Sequence, residues 1–377
     1  MLKSLISNSR RRQFFNLLVF YAAYLWFRSF SSSVLSPHFL QSGVSLEQMV
    51  FGSAIAYIIP VLILLFSKIV SNLIWWRWAI VLAYLAIILV IKVVDISQYY
   101  LYSLLLGSNT ALFFVPYNIA HFKLTPGHRT GFSSGILFSV YPVIALIAPL
   151  TAGLLAEFDY IYIWILSAFF FGVSFYLVKF QVQIKFNLDL KRDFDYLKPT
   201  RLIVLLQGVW ETLIFGIIPI YTLYFLTTPL AYGSYLSYLA LMGVLANLFL
   251  GKLSDKLKDR LKFLYPVTIS MALITLVFPL SLNRLILWLI FTGIIQLLTP
   301  LFWNFSTAWF VDKQPDHVRS MPARELILNV GRVIGLFLTW LNFSFQSPPV
   351  LIFYFLGAVM LLYPLVLVYN TRNAARS

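Results

Sequence analysis

Long, continuously apolar runs recur along the chain, without the every-other-residue alternation of a half-buried strand. Twelve stand out: 14–34, 49–69, 78–94, 97–120, 131–156, 160–180, 202–227, 233–253, 262–281, 284–309, 325–345 and 349–369. A helix needs about 20 residues to cross the hydrocarbon of a bilayer, and the runs match that length, the one at 78–94 being short. Because they are uniformly apolar, they predict membrane helices and not the alternating strands of a barrel. The first run follows Arg10, Arg11 and Arg12, much as the apolar part of a signal peptide follows its basic start. It continues from Phe14 to about Val34, which predicts an uncleaved first helix.

One longer polar stretch, 181–201, divides the chain near its midpoint. It holds Lys185, Lys191, Arg192 and Lys198 with Asp189, Asp193 and Asp195, and reads as a solvated linker. The expected organisation is an N-terminal six-helix bundle over 1–181, a linker over 182–200 and a C-terminal six-helix bundle over 201–377. The expected fold class is therefore an all-α membrane protein, with twelve transmembrane helices in two pseudo-symmetric halves.

Composition sharpens this reading. Of 377 residues, 60% are hydrophobic and 11% charged, and the mean hydropathy is +0.86. A soluble protein carries roughly a quarter of its residues charged, so a soluble enzyme and a nucleic-acid-binding domain are excluded despite the net charge of +15. Disorder is excluded by the apolar, 18% aromatic composition. With no cysteine, the chain has no disulfide, thiolate metal site or cysteine nucleophile.

The placement of charge gives an orientation. Lys92 and Arg284 fall in one set of loops, and Arg28 and Arg332 fall inside apolar runs. Every other lysine and arginine falls in the alternate loops or the two tails. Positive residues stay on the cytoplasmic side, so both termini are expected there, with an even number of crossings. The outer loops carry Glu47, Asp95, Glu157 and Asp159 instead. This asymmetry accounts for a pI of 9.8 without any nucleic acid. A plasma membrane, as the inner membrane of a bacterium, is the expected location.

The halves echo each other. Ser67-Lys68-Ile69-Val70-Ser71-Asn72 follows the second run, and Gly251-Lys252-Leu253-Ser254-Asp255-Lys256 follows the eighth. Pro126-Gly127-His128-Arg129 precedes the fifth run, and Pro315-Asp316-His317-Val318-Arg319 the eleventh. Gly131 with Gly135, and Gly331 with Gly335, have the spacing that lets two helix backbones approach closely in lipid.

At these residues the sequence resembles a family. The run from Gly251 to Arg260 is similar to the cytoplasmic loop signature of the major facilitator superfamily, G-x-x-x-D-R/K-x-G-R/K-R/K, with Lys258 and Asp259 departing from it. Ala148-Pro149-Leu150-Thr151-Ala152-Gly153 resembles the Pro-Gly end of that family's fifth helix. Tyr102 and Leu101 stand where the family usually has an arginine in its fourth helix. The resemblance implies two six-helix halves around a cavity that opens alternately to either side. It also implies that Asp255, at the end of the eighth helix, faces the N-terminus of the fifth. There the free N–H groups of Thr130 and Gly131 and the charge of Arg129 would hold the cytoplasmic side shut. Gly251, Lys252, Ser254 and Arg260 complete that expected gate; the alternative is that Asp255 and Lys252 simply solvate a helix end.

Ionisable groups inside hydrocarbon cost about 2.5–3.5 kcal/mol each on insertion scales, so each needs a reason. Glu211 lies about 15 Å into its run from Arg201, and Arg332 about 12 Å into its run from Arg324. The resemblance places both helices beside the cavity, so a Glu211–Arg332 pair is geometrically possible. The pair reads either as a titrating site that couples transport to protons, with Arg332 binding an anion or tuning Glu211, or as a static tie between helices. Arg28 reads either as cavity-facing and attractive to anions or as snorkelling to the interface. Asn109, Gln207, Asn247, Gln296, Asn304 and Asn329 read as substrate ligands or as interhelical hydrogen-bonding groups. Trp210, Tyr221, Tyr141 and Trp303 are candidates for an aromatic pocket.

Gly131-Phe132-Ser133-Ser134-Gly135 matches G-x-S-x-G, but it opens a membrane helix and lacks the strand-to-helix elbow of a hydrolase. Neither H-E-x-x-H nor a phosphate-binding loop occurs, and His38, His121, His128 and His317 show no metal spacing. No enzyme activity, cofactor or metal is expected. Two readings survive: a secondary transporter of a small solute, a drug or a metabolite, and a non-transporting scaffold or receptor on the same fold. A lysolipid flippase falls within the first. The expected partners are a small-molecule substrate, protons and the lipid bilayer, with no nucleic acid, and the expected state is a monomer.

Overall fold

The computed structural model describes residues 2–91, 94–124, 130–254, 261–314, 316–345 and 348–374; for 2–11, 130–139, 190–191, 249–254, 261, 317–318 and 370–374 it describes the backbone alone. The chain is overwhelmingly helical. Its first part comprises α1 (Leu2–Ser32), α2 (Leu35–Gln41), α3 (Leu46–Phe66), α4 (Asn72–Leu89), α5 (Ile96–Leu124), α6 (Thr130–Phe158) and α7 (Ile161–Leu177). The linker adds α8 (Leu190–Tyr196). The second part comprises α9 (Arg201–Thr212), α10 (Ile218–Tyr221), α11 (Pro229–Ser254), α12 (Leu261–Val277), α13 (Leu285–Lys313), α14 (His317–Phe345) and α15 (Leu351–Ala374).

Each apolar run coincides with one of these helices, except the seventh, which is divided between α9 and α10. Among the described residues, ten helical segments are long and apolar enough to cross a membrane, and the protein is an integral membrane protein of helical class. Its outer surface agrees, with Phe169, Ile286 and Leu365 each more than 60% exposed on different helices. Exposed apolar surface of this extent needs lipid to cover it. α1 and α5 are not among the ten, although 31 and 29 residues long; they carry the polar pair Arg28 and Asn109 described below.

Boundaries differ from the sequence reading at three places. The third run is shifted, its helix beginning at Asn72 because Trp75 and Trp76 are buried with the rest of α4. α14 begins eight residues before the apolar run, so Arg332 lies 15 residues into it, about 22 Å along the axis. After α1 the chain continues outward as α2, whose Leu35, Pro37 and Phe39 are buried.

The packing within the first part recurs in the second. α1 packs on α6 and α7, as α9 packs on α14 and α15; α3 and α4 pack on α5, as α11 and α12 pack on α13; and α4 meets α7 as α12 meets α15. Between the parts, α6 packs along α11 and α3 along α14. Small residues permit these approaches. A Cβ on Gly331 would stand 2.6 Å from the Leu205 carbonyl oxygen, and one on Gly233 2.4 Å from that of Pro149. The Gly331/Gly335 pair therefore seats α14 on α9.

The molecule has two ends. At one, the loops after α3 and α13 meet the linker. At the other, the acids of the predicted outer loops begin or brace helices. Asp95 accepts from the Gln98 amide and Asp159 from the Ile161 amide, both at 2.8 Å. Glu47 lies in the first turn of α3, whose Ser45 and Gln48 form a capping box. A carboxylate near a helix N-terminus satisfies free N–H groups and meets the positive end of the macrodipole.

The linker is not simply solvated, contrary to the sequence reading. β1 (Ile69–Ser71) and β2 (Lys185–Asn187) pair antiparallel, Val70 opposite Phe186. Asn72 fixes the register, donating to the Val182 carbonyl at 2.8 Å and accepting from the Ile184 amide at 2.7 Å. On the other side, Asp193 is fully buried and pairs with Arg319 of α14 at 3.3 Å. The linker is thus a strap tied to both parts. The reading missed it because a three-residue strand has no periodicity of its own and its partner lies more than a hundred residues away.

Candidate functional site

α9 begins at Arg201 and runs apolar on one side, so Glu211 arrives about 15 Å along it. One turn of wide π geometry follows, Leu213–Ile217, before α10. Pro219 explains the change: it has no N–H to give back along the helix, and Gly216 imposes no side chain there. Such turns widen a helix at functional positions. Here the turn swings Phe215 toward α3 and α13, where it stacks on Trp303 at 5.8 Å and lies 6.2 Å from Tyr57.

Glu211 is buried, and four N–H groups converge on it. Arg332 donates to Oε2 from Nε at 2.9 Å and from Nη2 at 2.5 Å. Gln207 Nε2 and Trp303 Nε1 each donate to Oε1 at 2.8 Å. Arg332 also donates to Asn329 Oδ1 at 3.2 Å, and its guanidinium lies 5.3 Å from the Tyr57 ring centroid and 5.1 Å from that of Phe215. A Glu211–Arg332 pair is present, with two guanidinium N–H groups on the single oxygen Oε2 and the rings of Tyr57 and Phe215 facing the guanidinium. Charged hydrogen bonds of this kind are the strong ones, and little water is present to screen them.

A second polar cluster lies in the first part. Arg28 hydrogen-bonds through Nη1 to Asn109 Oδ1, in a short contact, and to Thr110 Oγ1 at 3.1 Å. Tyr24 also donates to Asn109 Oδ1 at 2.8 Å, and Asn109 Nδ2 donates to the Ala79 carbonyl at 2.8 Å. Asn109 is 13 residues into the 29-residue α5, so Arg28 sits near mid-depth and points inward; it does not snorkel. Tyr57 is within electrostatic reach of both clusters, of Arg332 and Glu211 on one side and Arg28 on the other.

A third group lies nearer the linker end of α14. Arg324 and Glu325 are mostly buried and 3.7 Å apart. Glu325 accepts from Asn118 of α5 at 3.2 Å, a bond between the two parts. The sequence reading took Arg324 for the cytoplasmic boundary of the helix and passed over Glu325. The signal was an acid directly beside an arginine at the edge of an apolar run.

The remaining candidates divide. Gln207, Asn329, Trp303 and Tyr141 are at the centre. Trp210 is core, donating to Thr275 Oγ1 at 3.2 Å, and so is Tyr221, which donates to the Leu282 carbonyl at 2.9 Å toward the opposite end. Both were expected to line an aromatic pocket; their rings instead fill the space between α9, α10, α12 and α13. Asn247 donates within its own helix to the Gly243 carbonyl at 3.0 Å. Asn304 is buried on α13, and Gln296 lies half-buried on the same helix near Gly243. Of the expected gate, Arg129, Asp255 and Arg260 lie outside the described residues, and Thr130, Gly131, Gly251, Lys252 and Ser254 are described as helical backbone only. Tyr57, Phe215, Tyr24 and Thr110 were not singled out, because nothing local distinguishes them from the many other aromatic and hydroxyl residues.

At the end away from the linker, the two parts touch directly. Ser344 donates to Glu47 at 2.6 Å, the Leu230 amide to Glu157 at 3.3 Å, and Phe51 packs on Trp340 at 5.3 Å. The two parts are therefore in contact on that side. No protein-family model matches the chain, and no curated protein matches it.

Proposed function

We propose that the protein is a secondary transporter of the major facilitator type, with twelve spans, both termini cytoplasmic and a mid-membrane site worked by alternating access. The observation that carries this is the pair of polar clusters at mid-depth, Arg28–Asn109 in one part and Glu211–Arg332 in the other. Ionised groups there are costly and occur chiefly where a pathway needs them. The matched packing of the two parts supports the reading, because repeat-built transporters place their sites at the repeat interface and rock one part against the other. The closed contacts around Glu47 and Ser344 then represent the outer gate, and the strap lies on the cytoplasmic side.

Proton coupling through Glu211 belongs to the same proposal. Separating the pair leaves two buried charges bare, and a proton on Glu211 removes one of them. Arg324, Tyr57 and Tyr363 also lie within electrostatic reach of that carboxyl.

The chain has no cysteine, which makes a direct test clean. A single Tyr57→Cys variant in sealed membranes is treated with an impermeant thiol reagent from each side in turn. A transporter exposes this position to both sides over time, so labelling from either side is expected. A cysteine that no reagent reaches, or that only one side ever reaches, contradicts alternating access.

A further inference from the structure

Among the described residues, Arg332 has its counter-charge in Glu211 and Arg28 has none. Its Nη1 hydrogen bonds end on the neutral oxygens of Asn109 and Thr110, and no carboxylate among the described residues lies within ion-pair distance. Of the acids, Asp255 and Asp259 alone fall outside the described residues. Among the described residues, the centre therefore carries one uncompensated positive charge at mid-depth.

That charge borders an internal space. Tyr141 on α6 is 47% exposed, yet it is within electrostatic reach of Arg28 and Tyr21 on α1, Tyr57 on α3 and Tyr232 on α11. This half-exposed ring therefore stands among three other helices, on the side of α6 that meets Arg28. Arg28 and Tyr57 are themselves only half-buried. The aromatic row Tyr57, Phe215 and Trp303 extends from this space to Glu211.

We propose that the space between Arg28, Tyr57 and Tyr141 binds a small organic anion. Its carboxylate or phosphate pairs with the Arg28 guanidinium, and its apolar body lies against Tyr57 and Phe215. A cation is repelled by the uncompensated charge. A neutral solute leaves that charge unpaired in a medium where charge–charge contact is strong. An inorganic anion makes no use of the rings. This names the substrate class of the transporter reading and rests on it, but it is tested by binding alone.

The full chain is purified in detergent and melted at constant ionic strength with benzoate, phenyl phosphate, benzylammonium or benzyl alcohol. A ligand held only by the folded state raises the melting temperature. One or both anions are expected to raise it in a saturable way, with no effect of benzylammonium or benzyl alcohol. Arg28→Gln is expected to weaken anion binding about 10- to 100-fold, the range for a lost charged hydrogen bond. Thr110→Asp, which places a carboxylate beside Arg28 and leaves the guanidinium intact, is expected to weaken it similarly. No stabilisation of the wild type by either anion overturns the proposal, as does stabilisation undiminished in both variants, the sign of binding at surface basic residues. Anion binding without two-sided access at Tyr57→Cys leaves this site standing and removes the transporter reading; two-sided access without anion binding does the reverse.

Discussion

Glu211 shows how much the membrane interior asks of one side chain. Its two oxygens take four N–H groups from α9, α13 and α14. Removing one member of a buried ion pair costs about 3–5 kcal/mol, because the other charge is left bare, whereas replacing both costs far less. Glu211→Gln or Arg332→Gln alone should lower the melting temperature markedly, and the double variant should recover much of that loss. A double-mutant cycle on thermal stability measures this coupling; strictly additive losses would mean that the pair contributes no mutual stabilisation. The two residues were legible in the sequence, because a charge inside an apolar run is conspicuous whatever it touches. Tyr57 and Phe215 were not, because their roles depend on helices brought together only by folding.

Helices were the most legible elements, since each announces itself by twenty or so apolar residues. Their ends were less so. α14 extends eight residues beyond its apolar run because Arg319 finds Asp193 and Arg324 finds Thr307, partners that no local pattern reveals. The strap was invisible for the same reason. Its hinge is Asn72, whose amide holds two backbone groups of the linker. Asn72→Ala leaves those groups to water and should loosen β2 while sparing the helices. Limited proteolysis should then cut within 181–200 several-fold faster than in the wild type, with an unchanged helical circular-dichroism signal. An unchanged cleavage rate would show that the strap is held by its buried apolar residues, Phe186, Leu188 and Leu197, and not by this asparagine.

At the scale of the whole molecule, the two parts meet along α3 with α14 and along α6 with α11. Both seams run past the mid-depth clusters, so a rocking motion that opens one end exposes Arg28 and Glu211 to that side. On the transporter reading proposed above, a change of charge at Glu211 or beside Arg28 is what biases that motion. The reciprocal packing of the two parts appears only in three dimensions, and the Gly251–Arg260 run that suggested a repeat lies partly outside the described residues. The sharpest test of alternating access is the distance between spin labels on Glu47→Cys and Ser344→Cys, read by pulsed dipolar spectroscopy in lipid discs. A major short-distance population, matching the closed contact seen here, is expected beside a second, longer one, with the balance shifting as pH falls in otherwise wild-type protein and not in Glu211→Gln. A single short distance at every pH would contradict the account.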